Sequence, residues 1–365
     1  MRRKIVVVSN SYSAVLNFRS EFLNTLKHTY DVSVIAPPDH KDVKDYLPWN
    51  LDRKSVGILN NLRALLQLKY YLDLLKPELV ISYTLKPIVF VNFLLILRQR
   101  RYQSISVLTG LGTAYLGGSI LKRRLIWPSL GVLLASCRHI VVLNQSDRCR
   151  LVKLSGIRDS LIEVIDGEGY AFTDRLSIES SFNYDFVYSG RLIKSKGILD
   201  FLEAIRLLGE ENYTPRVLIL GDSETSFDGV DIKRVISDKM LSCVAFKGFS
   251  NDVKRELQSA NCLVHPTHGE GVSFSVLDAI DVGLLIVTTQ SPGMVDMTKN
   301  GLLFELSAVG DPSSLSAAMK RIMLLSANSR HRIVRSNRDI ASRIYSREKV
   351  IPVYLNLVRK VLGEV

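Results

Sequence analysis

The sequence predicts an α/β protein made of two Rossmann-like domains in tandem. Three observations carry this expectation. Short apolar runs alternate with segments of helical period, which is the pattern of βαβ units on a parallel sheet. The alternation fades between residues 163 and 185 and then restarts. A chain of 365 residues is also long enough for two cores, since domains commonly run about 100–200 residues.

Each element has its own signal. Residues 5–8 are a short apolar strand, followed by Phe18, Phe22, Leu23 and Leu26 at helical spacing. Residues 32–36 read as a strand ending at Pro37-Pro38, and residues 59–75 as a long helix stopped by Pro77. Residues 79–82, 104–108 and 140–143 are further buried strands. Polar residues around Asp166-Gly167-Glu168-Gly169 suit a linker. Strands are then expected at 185–188, 216–220, 244–247, 262–265 and 284–288, with helices over 198–208, 230–240 and 253–260. A basic segment, 330–347, runs into a final amphipathic helix over 350–361.

Composition narrows the function classes. Hydrophobic content of 47% and charged content of 23% suit a globular enzyme. The net charge of +12 points to anionic company: phosphorylated substrates or an anionic membrane face. No zinc-finger, RNP-like or basic-zipper pattern supports nucleic acid as the partner. Cys137, Cys149, Cys243 and Cys262 have no metal-clamp or redox-pair spacing, so they read as reduced residues of a cytoplasmic protein. The apolar run behind Met1-Arg2-Arg3-Lys4 is four residues long and reads as a strand rather than a targeting segment. No run of about 18 apolar residues predicts a transmembrane helix.

The stretch from His265 to Ala279 concentrates the chemistry. An apolar strand ends near His265, and Val276, Leu277 and Ile280 mark a helix behind an N-cap at Ser273. Glu270 and Gly271 therefore fall on the strand-to-helix turn. Free backbone N–H groups at such a helix start suit a phosphate. Glu270 in the turn and Asp278 about one turn into the helix could each grip sugar hydroxyls.

This stretch resembles the Glu-x7-Glu motif of family-4 retaining glycosyltransferases, with Asp278 in place of the second Glu. Other segments follow the order of that family. Gly190-Arg191 through Lys196-Gly197 resembles its Gly-Arg…Lys-Gly segment, whose cations hold the donor diphosphate. Fixed cations there neutralise charge growing on the departing group. Gly248-Phe249 resembles the segment that meets the nucleotide base, and Pro292-Gly293…Asp296…Asn300-Gly301 the run behind the sugar-binding helix. In the first half, Asn10-Ser11…Arg19, Thr84-Leu85-Lys86 and Thr109-Gly110-Leu111-Gly112 together resemble a bacterial branch of the family. That branch adds sugars to lipid-linked or surface polysaccharide precursors, including O-antigen and capsule.

The resemblance implies the GT-B architecture: two Rossmann-like domains facing a central cleft, with the C-terminal helix crossing back to the first. It assigns residues 1–170 and a helix at about 345–365 to acceptor binding, and 171–344 to the nucleotide-sugar donor, a UDP-sugar being expected. It implies transfer with retention to a polyprenyl-diphosphate-linked saccharide at the inner face of the cell membrane. Glu270 would orient the donor sugar and Asp278 the ribose. Arg191 and Lys196 would serve the diphosphate, with Gly190, Gly248, Phe249, Gly271, Val272, Ser273 and Phe274 lining the donor. Asn10, Ser11, Arg19, Thr84, Lys86, Thr109 and Gly110 would face the acceptor or donor. No cofactor and no metal are implied, and the sequence has no Asp-x-Asp.

Two departures bear on this reading. Asp278 is one methylene shorter than Glu, and Glu168-Gly169-Tyr170 replaces the usual Gly-Val-Asp of the linker. A nucleotide-sugar 2-epimerase of the same fold and a non-catalytic assembly subunit remain as alternatives. Lys122-Arg123-Arg124 beside Trp127, and the helix over 59–75 with Arg63 and Lys69, are the expected membrane-facing segments.

Overall fold

The computed structural model describes residues 2–39, 46–52, 57–97, 102–111, 120–174, 176, 181–222, 229–231 and 243–364; for residues 120–125 it describes the backbone only. The expected helix over 230–240 lies outside these from residue 232 on, as do Gly112 and the side chains of Lys122, Arg123 and Arg124.

Two compact units form: Met1–Tyr170 with Arg347–Val365, and Ala171–Ser346. The first is built on a seven-stranded sheet. Its strands are β1 (Lys4–Val8), β2 (Asp31–Ala36), β3 (Leu47–Pro48), β4 (Leu79–Tyr83), β5 (Gln103–Leu108), β6 (His139–Val142) and β7 (Ile162–Val164). Their spatial order is β3-β2-β1-β4-β5-β6-β7, and every pairing is parallel. The order reverses between β1 and β4, which is the switch point of a doubly wound sheet. β4 is buried along its whole length, which explains its unbroken apolar run. The short edge strand β7 lies in the stretch read as a linker. Three residues on one flank give too little periodicity to be seen in sequence.

The second unit repeats the plan with six strands: β8 (Tyr184–Ser189), β9 (Val217–Leu220), β10 (Val244–Gly248), β11 (Ala260–His265), β12 (Leu285–Thr289) and β13 (Glu305–Ser307). The order β10-β9-β8-β11-β12-β13 puts its switch point between β8 and β11. The helix expected over 253–260 ends at Leu257. Ala260 is instead the first residue of β11, paired with Tyr184, because the tight spacing leaves only Gln258 and Ser259 to make the turn. Phe186, Phe201, Ile219, Val264 and Val287 fill the core between sheet and helices. Each large side chain buried this way contributes about 1.5–3 kcal/mol.

The chain returns to the first unit through the helix Arg347–Leu362. Arg347 N–H donates to the Tyr170 carbonyl at 3.0 Å, the Tyr354 ring packs tilted against Phe22 with centres 5.4 Å apart, and its hydroxyl donates to the Gly167 carbonyl at 3.2 Å. The expected crossing-back of the C-terminal helix is therefore seen. Beside it, Arg19 Nη2 donates to Glu168 Oε1 at 2.5 Å, with the guanidinium 4.1 Å from the Tyr83 ring centre. Both charged side chains are buried, so the departure at Glu168 is matched by a partner for its charge.

Candidate functional site

The second unit gathers the Glu270 and Arg191–Lys196 segments at one place. Gly190 follows β8 and the turn Pro266–Ser273 follows β11, so both loops leave the carboxyl ends of the two switch-point strands. Ligands of open α/β sheets bind in this position. Ser273 caps the helix Phe274–Asp281, its hydroxyl accepting from Val276 N–H at 3.4 Å. The first turn of that helix therefore presents backbone N–H groups at the same sheet end.

The two loops are locked together. Lys196 Nζ donates to Glu270 Oε1, both side chains being about one-fifth exposed. His268 N–H donates to the Ser195 carbonyl at 3.0 Å, and its Nε2 lies 2.6 Å from Asp200 Oδ2. Gly197 has φ +72°, and a Cβ there would fall 1.9 Å from the Pro266 carbonyl oxygen. Glycine at this position is a packing requirement: it lets one loop's backbone rest on the other. The same holds at Gly293, where a Cβ would meet the Gly271 carbonyl oxygen at 1.9 Å. The Pro292-Gly293 pair thus starts the helix Pro292–Lys299 directly against the Glu270 turn.

Electrostatics follow from this packing. Burial acts to raise the Glu270 carboxyl, but Lys196 beside it and His265 outweigh that and hold it at about 2. Glu270 is therefore a fixed carboxylate, an acceptor at every working pH. His265 Nε2 stands 3.6 Å from Glu270 Oε1. Burial lowers the imidazole's pKa, against the pull of Glu270. Tyr188 supports the floor, its hydroxyl donating to the Arg191 carbonyl at 2.8 Å, and burial raises its pKa.

The other expected donor residues differ in exposure. Arg191 is exposed, Asp278 and Phe274 are partly buried, and Gly271 is buried with Val272 half-covered beside it. Gly248 adopts φ +76° at the end of β10, and Phe249 after it is 69% exposed. The Asn300-Gly301 run is structural: Asn300 Nδ2 donates to the Tyr345 hydroxyl at 3.0 Å. His265, His268 and Asp200 were not singled out from the sequence. His265 and His268 sit inside the motif stretch, but nothing in spacing ties Asp200 to it.

In the first unit, Asn10 and Ser11 follow β1 and Thr84 follows β4, again at the switch point. Ser11 caps the helix Tyr12–Thr29, its hydroxyl donating to Asp39 Oδ2 at 2.6 Å. Thr84 has φ +68° and a buried hydroxyl with no hydrogen-bond partner among the described residues. Lys86 Nζ donates to the Asp52 carbonyl at 2.6 Å. Thr109 and Gly110 follow β5 at its carboxyl end, Thr109 half-buried and Gly110 exposed. Arg19 stands apart from these: its guanidinium is inside the unit, held by Glu168.

Comparison with known proteins gives this arrangement a family context. Residues 183–324 match the profile of glycosyl transferases group 1. The chain is 22% identical over 339 residues to the capsular polysaccharide biosynthesis glycosyltransferase CapM of Staphylococcus aureus, spanning 87% of this chain and 86% of that one. It is 24% identical over 258 residues to the UDP-Gal:alpha-D-GlcNAc-diphosphoundecaprenol alpha-1,3-galactosyltransferase of Escherichia coli, covering 64% and 65%. Among solved structures, Anabaena Alr3699/HepE in complex with UDP-glucose superposes with a TM-score of 0.77 at 14% identity, over 99% of this chain and all of that one. The fold is thus that of the GT-B glycosyltransferases.

Proposed function

We propose, for a chain whose residues 183–324 form a group 1 glycosyltransferase domain, that it moves a hexose or N-acetylhexosamine from a UDP-sugar to a lipid-diphosphate-linked saccharide, with retention, in bacterial surface polysaccharide synthesis. One observation carries the donor half. The loops after β8 and β11 converge at the switch point of the second unit and are pinned together through Lys196 and Glu270. The E. coli relative named for a diphosphoundecaprenol-linked acceptor and the S. aureus relative named for capsule synthesis support the acceptor class. The UDP-glucose complex of the Anabaena protein supports the donor class.

The chemistry follows from these side chains. Arg191 and Lys196 face the diphosphate, and the amides at the start of the helix Phe274–Asp281 add a partial positive charge. These groups stabilise charge that grows on the leaving diphosphate, the kind of contact that accelerates transfer. Glu270, kept ionised by Lys196, accepts from hydroxyls of the donor sugar. Asp278 reaches the ribose, and Gly248 and Phe249 meet the base. No protein nucleophile is assigned, so the leaving phosphate takes the proton of the incoming hydroxyl on the same face. The N-terminal Asn10, Thr84, Lys86, Thr109 and Gly110 serve the acceptor side.

Calorimetric titration with UDP tests the donor site. Binding to the wild-type protein, weakened at least about tenfold in both Arg191→Ala and Lys196→Ala, is expected from two charge-assisted phosphate contacts. Wild-type protein that takes up no UDP, or variants that bind it equally well, would remove the assignment.

A further inference from the structure

The helix Ile58–Leu75 buries Ala64, Leu68 and Leu72 against the first unit. Its outer side is apolar as well. Ile58, Leu59, Leu62, Leu66, Tyr70 and Leu74 are between 48% and 82% exposed. At about 100° per residue, these six span an arc of roughly 160° opposite the buried face. A helix apolar on both sides needs a cover on both sides. Exposed apolar patches beyond a few hundred Å² mark protein or membrane contacts, and six large side chains in one stripe reach that size.

The charges around the stripe select the cover. Arg63 and Lys69 are exposed toward its two margins, and Lys76 is exposed just past its end. Asp73, paired with Lys69 at 3.2 Å, is the helix's one acidic residue. Cations flanking a wide apolar face match an anionic bilayer interface, where Leu and Tyr enter the headgroup boundary and Lys and Arg stay at the phosphates. A second copy of the same face would instead bring these cations together within a chain of net charge +12. The neighbouring helix Leu85–Leu97 also ends on exposed Phe93, Ile96 and Leu97. No helix of the described residues is long and apolar enough to cross a membrane.

We infer that the outer face of the helix Ile58–Leu75 docks the protein on an anionic phospholipid surface, lying in the interface plane. The inference draws its purpose from the lipid-linked acceptor proposed above, but its physical basis is this face alone. Apolar insertion is its main contribution and charge the selector.

Co-sedimentation with vesicles tests it, using phosphatidylcholine with phosphatidylglycerol at about 7:3 against phosphatidylcholine alone, at low and high salt. Wild-type protein is expected to pellet with the anionic vesicles, and less at high salt. Leu62→Glu with Leu66→Glu is expected to weaken partitioning more than about tenfold at both salt levels. Arg63→Ser with Lys69→Ser is expected to remove the preference for anionic vesicles. Thermal midpoint and UDP binding should be unchanged in both pairs, since all four side chains are exposed and lie in the first unit. The vesicles carry no acceptor, so failure of the transfer reaction cannot mimic failure of docking. Wild-type protein left in the supernatant overturns the inference. So does full pelleting of the Leu62/Leu66 variant. A wild-type dimer that the same variant dissociates, with no vesicle binding, would assign the face to a second copy instead.

Discussion

Lys196 and Glu270 lie 74 positions apart in the chain and form one ion pair at the carboxyl ends of adjacent strands. Each comes from a different loop, and each loop is shaped so the other can reach it. Gly197 allows the first to rest on Pro266, and Gly293 allows a helix to start against the Gly271 carbonyl. The pair is thus the product of backbone packing and the centre of the proposed donor site at once.

Removing the cations separates these two aspects. Arg191→Ala and Lys196→Ala are expected to lower kcat/KM for transfer by about 10²–10³, the usual cost of losing one group that stabilises developing charge. Circular dichroism should show both variants folded, because neither side chain belongs to the core. Near-normal kcat/KM in both would contradict the diphosphate assignment.

The two acids are expected to differ. Glu270→Gln should lower kcat more than Asp278→Asn, because a contact on the reacting sugar strengthens in the transition state and one on the ribose does not. Asp278→Asn should act mainly on KM for the donor. Steady-state kinetics with donor varied checks the ranking, and a pure KM effect at Glu270 would contradict it.

The low pKa of Glu270 has a signature in stability. Its folded value of about 2 lies below its ordinary 4.5. The pair therefore adds stability that is complete above about pH 4.5 and is lost as pH falls toward 2. Thermal melts of wild type and Glu270→Gln should show a gap that closes through that window. A gap independent of pH would mean the carboxylate is not held by Lys196.

Substituting Gly197 with Ala should disturb both loops. The new Cβ meets a carbonyl oxygen, not a flexible side-chain end, and the residue keeps φ +72°. Left-handed backbone alone costs about 1–2 kcal/mol for a residue with a Cβ. A lower melting temperature together with lost UDP binding is the expected result of a melt and a titration on the same sample.

In the first unit, Arg19→Met or Glu168→Leu alone should destabilise by about 3–5 kcal/mol, since each leaves the partner's buried charge unpaired. Arg19→Met combined with Glu168→Leu should recover much of the loss. Urea unfolding of the four proteins forms a double-mutant cycle, and additive costs would show that the two side chains act independently.

Much of this was legible before the structure. Parallel strands buried on both faces give unbroken apolar runs, so β1, β4, β8 and β11 stand out, while the strand order that makes them switch points shows only in the fold. Glu270, Arg191 and Lys196 could be singled out because their segments, each behind such a strand, resemble the motifs of family-4 glycosyltransferases. What escaped was tertiary. The three-residue edge strand β7 has too little pattern to read. Arg19 looks like any motif cation in sequence, and only its contact with Glu168, 149 positions away, shows it as a core residue. The bond from His268 to Asp200 joins two elements with no sequence relation, and so has no local signal. The helix Ile58–Leu75 was legible as a membrane-facing candidate, but which of its apolar residues stay uncovered is set by the packing of Ala64, Leu68 and Leu72 and shows only in the fold.

The most direct measurement is of the reaction itself. Protein is incubated with UDP-hexoses and UDP-N-acetylhexosamines and an undecaprenyl-diphosphate-linked saccharide, and the product is analysed by mass spectrometry and by NMR of the new anomeric centre. One added sugar, in the anomeric configuration it had in the donor, is the outcome this account requires. An inverted linkage, an epimerised UDP-sugar formed without acceptor, or no transfer from any UDP-sugar would contradict it.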